Sequence, residues 1–297
     1  MQDLSNRIGM GEAATTLQIF CGTIRMSYFN RDILKWHKKE HITAEFLLCR
    51  KRPGAPSAVW LGTRVGNPPA VHKNVYDLSK NAYVLIFHHD TFKESRYNRE
   101  GSAEDMKKIK QTLQKYRCDR LDINENLTCS SVLKKMDKIS TQNFSNNSCL
   151  IVFILSHGNV NDTIMAQDGY MYSFHSDIVE QCTSNKTLKN KPKIFVLQAC
   201  RGDATIVTDA TRSLSNKIDI VAFQSSYLGT VSYRDKRKGS FFMQAFLRLL
   251  DEHNQQSIIN INTLLNREFN EEGILQTPTL MTTLQKELIF GKLLRKR

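Results

Sequence analysis

Two runs of the chain end in side chains that can do covalent chemistry. "KIFVLQAC" (193–200) passes through apolar residues into Cys200, and "CLIVFILSHG" (149–158) passes through a similar run into His157 and Gly158. A thiol is a weak nucleophile until it loses its proton, and an adjacent imidazole can take that proton. Attack on a carbonyl then creates a negative oxygen that needs two backbone donors. The N–H groups of Gly158 and Cys200 are candidates for that pair, and a glycine leaves no side chain in the substrate's way. Taken singly, a cysteine ending an apolar strand is more often an inert core thiol, and a lone histidine more often a structural residue. The joint pattern, two strand ends bearing complementary groups, is what points to nucleophilic catalysis.

The surrounding elements are of the kind that can bring those ends together. "AYVLIFHH" (82–89), "CLIVFIL", "KIFVLQ" and "KIDIVAFQSS" (217–226) read as strands, and two of them are apolar runs of the type buried on both faces of a parallel sheet. Between them, "SAEDMKKIKQTLQKY" places Met106, Ile109 and Leu113 at helical spacing, with Ser102 as its cap. "SSVLKKMDKI" repeats Val132, Leu133, Met136 and Ile139 at threes and fours, and "FHSDIVEQC" reads as a short crossover helix. "SFFMQAFLRLLDEH" and "INTLLNREFN" are further helices, and "PTLMTTLQKELIF" (278–290) is a final strand. Alternating strands and helices predict an α/β layer fold with a mostly parallel sheet, whose ligands sit beyond the carboxyl ends of the strands.

Composition narrows the class. With 297 residues, 40% hydrophobic and 24% charged, the chain reads as a soluble globular protein, and its apolar runs fall far short of the roughly 18 residues of a membrane span. No basic and then apolar leader opens it, so a reducing, cytoplasmic setting is expected. The seven cysteines form no C-x-x-C pair and His88-His89 is the only tight histidine cluster, so neither a metal nor another cofactor is expected. A formal charge of +13 raises nucleic-acid binding, but the basic residues are dispersed without interleaved aromatics, and no nucleic-acid partner is expected.

The motifs together resemble the caspase family. "QACRG" matches the signature Q-A-C-[RQG]-G, with "SHG" as its upstream histidine motif. "REGSAED" (99–105) is similar to the family's R-x-G-[ST]-x-x-D, and "SYRDKRKGSFF" (232–242) to its S-[WY]-R-x-x-x-x-G-S segment. The resemblance runs from about residue 75 to 290 and implies a three-layer fold with a six-stranded sheet and helices on both faces. It also implies a cysteine endopeptidase that hydrolyses peptide bonds after aspartate and acts in apoptosis or related signalling. Cys200 would be the nucleophile, His157 the acid/base, and the N–H groups of Gly158 and Cys200 the oxyanion hole. Arg99, Gln198 and Arg234 fall where the family builds its primary specificity pocket; planar guanidinium groups suit a carboxylate there. Ser232 and Tyr233 would line the substrate groove, and Val231 stands where some relatives carry an aromatic.

The family's members are zymogens, and the resemblance divides this chain accordingly. Residues 1–74, rich in proline and glycine near their end, read as an irregular prodomain or linker without a clear death fold. Residues 75–297 read as the catalytic domain, with a large subunit of about 75–209 and a small one of about 210–297. Ile206-Val207-Thr208-Asp209 before Ala210 is the expected activation cut, with Asp203 competing. Implied partners are protein substrates with aspartate before the scissile bond, upstream caspases or inhibitor proteins, and a second copy paired through the last strand. Two alternatives stand beside this reading. A protease of the same fold cutting after arginine, lysine or asparagine would need a pocket without Arg99 and Arg234. An inactive homologue acting as a regulatory dimerisation partner would be expected to lose the nucleophile, the histidine or those arginines, which this chain keeps.

Overall fold

Strand-length apolar runs form the centre of the chain, with helices packed on either side. The computed structural model describes residues 17–19, 24–26, 74–118, 120–159, 162–200 and 215–296. The chain divides into two units, residues 1–65 and 66–297. In the first, β1 (Leu17–Ile19) and β2 (Ile24–Met26) pair antiparallel. The helix expected in "RDILKWHKKEHITAEFLLC" and the Pro/Gly-rich stretch at 53–69 lie outside the described residues.

The second unit contains, in chain order, β3 (Asn81–His88), α1 (Ser102–Leu113), β4 (Leu121–Glu125), α2 (Cys129–Thr141) and β5 (Asn147–Leu155). A small meander follows, made of β6 (Gly158–Asn159), β7 (Thr163–Met165) and β8 (Met171–Ser173). A π-helical turn (Phe174–Val179) then runs into α3 (Glu180–Ser184) and on to β9 (Lys193–Gln198). β10 (Ile220–Gln224), a hairpin of β11 (Arg234–Asp235) and β12 (Gly239–Ser240), α4 (Phe241–Glu252), α5 (Asn260–Glu271) and β13 (Thr279–Thr282) complete it. The central sheet has six strands in the order β13-β10-β9-β5-β3-β4, all parallel except β13.

Successive residues of each inner strand feed opposite cores, as the two-residue repeat of a strand requires. Val84, Ile86, Ile151, Phe153 and Val196 pack with Met106 and Ile109 of α1, Phe242 and Phe246 of α4 and Leu265 of α5. Leu85, Phe87, Val152, Ile154 and Phe195 pack with Val132, Met136 and Ile139 of α2, and with Phe174, Ile178 and Cys182. The result is the expected three-layer α/β architecture, and every residue of β9 is buried.

Three local expectations are corrected. Ser102 is not the cap of α1: Gly101, at φ 83°, occupies that position, and the Ser102 hydroxyl is engaged elsewhere by Arg99 and His88. Leu133 is 42% exposed, because the apolar stripe of α2 is the narrower one through Val132, Met136 and Ile139. The final strand is only four residues long, since β10 starts at Ile220 and offers no partner beyond it. Leu288, Phe290 and Leu293 are instead buried in the α1 and α4 core, where Phe290 meets the Tyr116 ring at 4.7 Å.

Candidate active site

Strand register brings the two reactive ends side by side. Parallel β5 and β9 pair up to Leu155 opposite Gln198, and His157 and Cys200 each lie two residues beyond that pair on the carboxyl edge. Ser156 N–H donates to the Gln198 carbonyl at 3.1 Å, extending the alignment past the strands. Cys200 is a partly exposed free thiol. The residue before it is pinned: Ala199 N–H donates to Ser225 Oγ at 3.2 Å, and the Ala199 carbonyl accepts from the same hydroxyl at 3.0 Å. Ser232 Oγ lies 2.6 Å from Ser225 Oγ, so the segment of Ser232 is tied to the turn that bears Cys200.

Gly158 touches that turn directly. A Cβ built at Gly158 would lie 2.3 Å from the Cys200 carbonyl oxygen and 2.9 Å from the Ala199 Cβ, so no larger residue fits without moving the turn at Cys200. Close backbone approach, rather than open access for substrate, is therefore what requires the glycine. Met165 N–H donates to the His157 carbonyl at 3.0 Å, which makes that pair a hydrogen-bonded one in the antiparallel ladder. Its neighbour, Gly158 opposite Ile164, is then a non-bonded position whose N–H faces away from β7.

The imidazole is held from behind. His157 Nε2 lies 2.7 Å from the Tyr97 carbonyl oxygen, which can only accept, so Nε2 carries the hydrogen and Nδ1 is the basic atom of the neutral ring. Phe92 and Tyr97 flank the ring at centroid distances of 5.2 and 6.0 Å. Burial lowers the His157 pKa and the Tyr97 carbonyl opposes it, while the positive charges of Arg99 and Arg234 lower it further. The ring is thus kept neutral and ready to accept a proton.

Arg99, which follows Tyr97 on the same loop, is only 2% exposed. Its Nη1 donates to the His89 carbonyl and to Ser102 Oγ, both at 2.9 Å. Nε and Nη2, the parallel donors along one edge of the guanidinium, are buried and have no hydrogen-bond partner among the described residues. Burial first, and then the charge of Arg234, push its pKa down to about 9, against the opposing pull of Asp105, Asp90 and the Cys200 thiol. Arg234 is half-buried in β11, and its Nε donates to the Glu100 carbonyl at 2.9 Å. A Cβ at Gly101 would lie 2.5 Å from the Asp235 carbonyl, so the loop of Arg99 and the hairpin of Arg234 interlock. Asp105 lies near both charges, but its oxygens are taken by Ser240 N–H, Ser240 Oγ and Gln244 Nε2 at 2.8, 2.6 and 3.0 Å. Among the described residues, neither arginine has an ion pair.

The other expected positions divide. Gln198 is buried at the end of β9 with Oε1 unpartnered, and no hydrogen bond among the described residues joins it to either arginine. Val231 and Tyr233 are exposed, at 52% and 40%, along an open strip beside Ser232. Asp209, Asp203 and Arg201 lie outside the described residues. Several contributors went unread in the sequence. Ser225 was visible only as the end of "AFQSS", Gln276 fixes the strip by accepting from Tyr233 N–H at 2.8 Å and donating to the Ser225 carbonyl at 2.6 Å, and Tyr97 acts through a backbone carbonyl.

This site lies inside a region that other proteins share. A family model described as the caspase domain matches residues 81–289. Caspase-3 of Bos taurus is 27% identical over 221 residues, covering 65% of this chain and 77% of its own. Caspase-1 of Drosophila melanogaster is 28% identical over 246 residues, covering 70% and 72% respectively. The crystal structure of caspase-1 from Spodoptera frugiperda superposes with a TM-score of 0.64 over 75% of this chain and 97% of its own; at 22% identity that likeness speaks for the fold.

Proposed function

The chain belongs to the caspase family, and we propose that it is an endopeptidase using Cys200 to hydrolyse peptide bonds after aspartate. One observation carries the specificity: Arg99 is a buried cation whose Nε and Nη2 have no partner among the described residues, an arrangement that a substrate carboxylate completes with two parallel charge-assisted bonds. Arg234 adds a second positive charge and Gln198 a third wall. A basic side chain entering the pocket would be repelled.

In the proposed reaction His157 Nδ1 takes the Cys200 proton and the thiolate attacks the scissile carbonyl. The resulting oxyanion accepts from Gly158 N–H and Cys200 N–H. The imidazolium returns its proton to the leaving amine, giving a thioester. His157 then deprotonates water, which attacks the thioester carbon; the thiolate leaves and regains its proton from the imidazolium. Ser232, Tyr233 and Val231 line the approach of the substrate backbone.

The same reading makes the chain a zymogen cut after Asp209 into subunits of about 75–209 and 210–297, behind a prodomain of residues 1–74. β13 lies at the sheet edge with Met281 exposed, a position suited to pairing two protomers. A cytoplasmic role in apoptosis or related signalling belongs to this proposal. Digesting a peptide library with wild type and Cys200→Ala tests it: cleavage confined to aspartate and lost in the variant is expected. No cleavage by wild type would favour a regulatory dimerisation partner instead. Asp209→Ala should block self-processing at that bond.

A further inference from the structure

The side chain that fixes Arg99 is itself held by an ionisable one. Ser102 Oγ accepts from Arg99 Nη1 at 2.9 Å and lies 2.9 Å from His88 Nε2 on its other side. His88 is 3% exposed at the end of β3, and its Nδ1 has no hydrogen-bond partner among the described residues. Outside it opens a cleft of 420 Å³ between α1 and the β3–β4 edge, lined by His88, Asp90, Met106, Lys107, Lys110 and Glu125. The chain of contacts therefore runs from an open, charged cleft through His88 and Ser102 to the guanidinium that the proposed function assigns to the substrate carboxylate.

We infer that His88 is a positioning residue of the specificity pocket, acting through the Ser102 hydroxyl on Arg99, and that carboxylate binding at Arg99 is coupled to protonation of His88. A hydroxyl oxygen has two lone pairs and one hydrogen. Arg99 uses one lone pair. With His88 neutral, the Ser102 hydrogen can be given to Nε2. With His88 protonated, Nε2–H must donate into the second lone pair, so Ser102 accepts from two cations and turns its own hydrogen away. The proton thus reverses one hydrogen bond and places a second positive charge a single hydroxyl away from Arg99. A carboxylate on Nε and Nη2 offsets that charge, so proton and carboxylate favour each other, a reciprocal coupling between two sites.

The charges around His88 set where this operates. Asp90 lies 3.8 Å from Nε2 and Glu125 4.0 Å from Nδ1; the charges of Arg99 and Lys110 act against them, and Lys107 and Lys110 line the same cleft. Burial is the largest influence and lowers the His88 pKa, Arg99 and Lys110 lower it further, and Asp90 and Glu125 oppose them. His88 is therefore neutral in the empty protein near pH 7. Filling the pocket removes part of the Arg99 penalty and raises the pKa, so ligand affinity rises as pH falls below the ordinary histidine range.

The inference rests on the reading of Arg99 as a carboxylate binder, and the test separates the two. In a Cys200→Ala background of the full chain, an amidated peptide carrying Ile-Val-Thr-Asp-Ala, the sequence of residues 206–210, is titrated calorimetrically between pH 7.5 and 5.5, beside its Asp→Asn analogue. With His88 present, the aspartyl peptide is expected to gain about fivefold more affinity on acidification than with His88→Gln, a coupling at the low end of those typical between sites. The asparaginyl peptide should show no such difference. His88→Leu, which cannot bond Ser102, should weaken the aspartyl peptide about tenfold at pH 7.5, with Gln restoring it, as loss of the hydrogen bond that positions Ser102 implies. Equal pH slopes in wild-type and Gln backgrounds would overturn the inference while leaving the pocket reading intact. Equal binding of both peptides, or of neither, would overturn both. If His88→Leu does not fold, the Gln slope alone decides.

Discussion

Replacing Arg99 by methionine should make the protein more stable and unable to cut after aspartate. Burial and Arg234 lower the Arg99 pKa to about 9, which makes the charged form roughly 5 kcal/mol costlier in the fold than in the unfolded chain, at about 1.4 kcal/mol per unit. The two states differ in protons bound only between about pH 9 and the ordinary arginine value; at pH 7 both are protonated and the whole cost is present. Against it stand the Nη1 bonds to the His89 carbonyl and Ser102 Oγ, whose loss costs roughly 1.5 kcal/mol each. Methionine keeps the unbranched, apolar stem. The balance is a stabilisation of about 1–2 kcal/mol, which raises Tm by about 2–6 °C in a domain of this size. Loss of the carboxylate's partner lowers kcat/KM on an aspartyl peptide by about 10⁴-fold. Scanning calorimetry of both proteins, paired with hydrolysis of aspartyl and asparaginyl substrates, measures the two effects together. A variant that melts several degrees below wild type, or that still prefers aspartate, would refute the reading of Arg99 as an unpaired cation awaiting a ligand.

Other consequences follow from the same geometry. Because burial and the two arginines lower the His157 pKa, the acid limb of kcat/KM is expected below the ordinary histidine value of about 6.5; Arg234→Gln should move that limb upward, measured with substrate well below KM so that the free enzyme is reported. Gly158→Ala, whose Cβ would meet the Cys200 carbonyl at 2.3 Å, should lower kcat by about 100-fold or more while leaving the peptide affinity of a Cys200→Ala protein nearly unchanged; equal activity would show the approach to be unimportant. His89, fully buried, is lowered to about 4 by burial first and then by Arg99 and His88. Its contribution is present above pH 6.5 and lost as pH falls through the unfolded-state value, about 2 kcal/mol by pH 5. Urea midpoints at pH 7.5 and 5 would reveal it, and His89→Phe should flatten the difference.

How much of this was legible in the sequence depended on whether a residue acts from a strand. Cys200 and His157 end continuous apolar runs of strand length, so the strands β5 and β9 could be read and their ends matched. A slip of one residue would exchange the side chains that fill the two cores, on which different helices pack. The short edge strand β4 was not read, because "LDINE" is only half-buried and lacks a continuous apolar pattern. The meander of β6, β7 and β8 escaped for a similar reason: strands of two or three residues have no period to detect.

The same physical distinction explains why the support of the site was hidden when its principal residues were not. Ser102 fits the pattern of a helix cap, and local hydrogen bonding would satisfy it there. A long-range demand wins instead: Arg99 is buried, its charge needs acceptors, and the hydroxyl at the helix start is one of two that reach it. Gln276 has no periodic neighbours, yet both ends of its amide close contacts that hold Tyr233 and Ser225. Such residues are chosen by the unsatisfied groups around them, and those groups exist only once the fold has formed. Where a sequence places a cation on a strand-edge loop, the productive question is therefore which nearby hydroxyls and amides the fold must spend in holding it, and which of its donors are left over. Here the remainder is the Nε and Nη2 edge of Arg99, and that remainder points to a carboxylate.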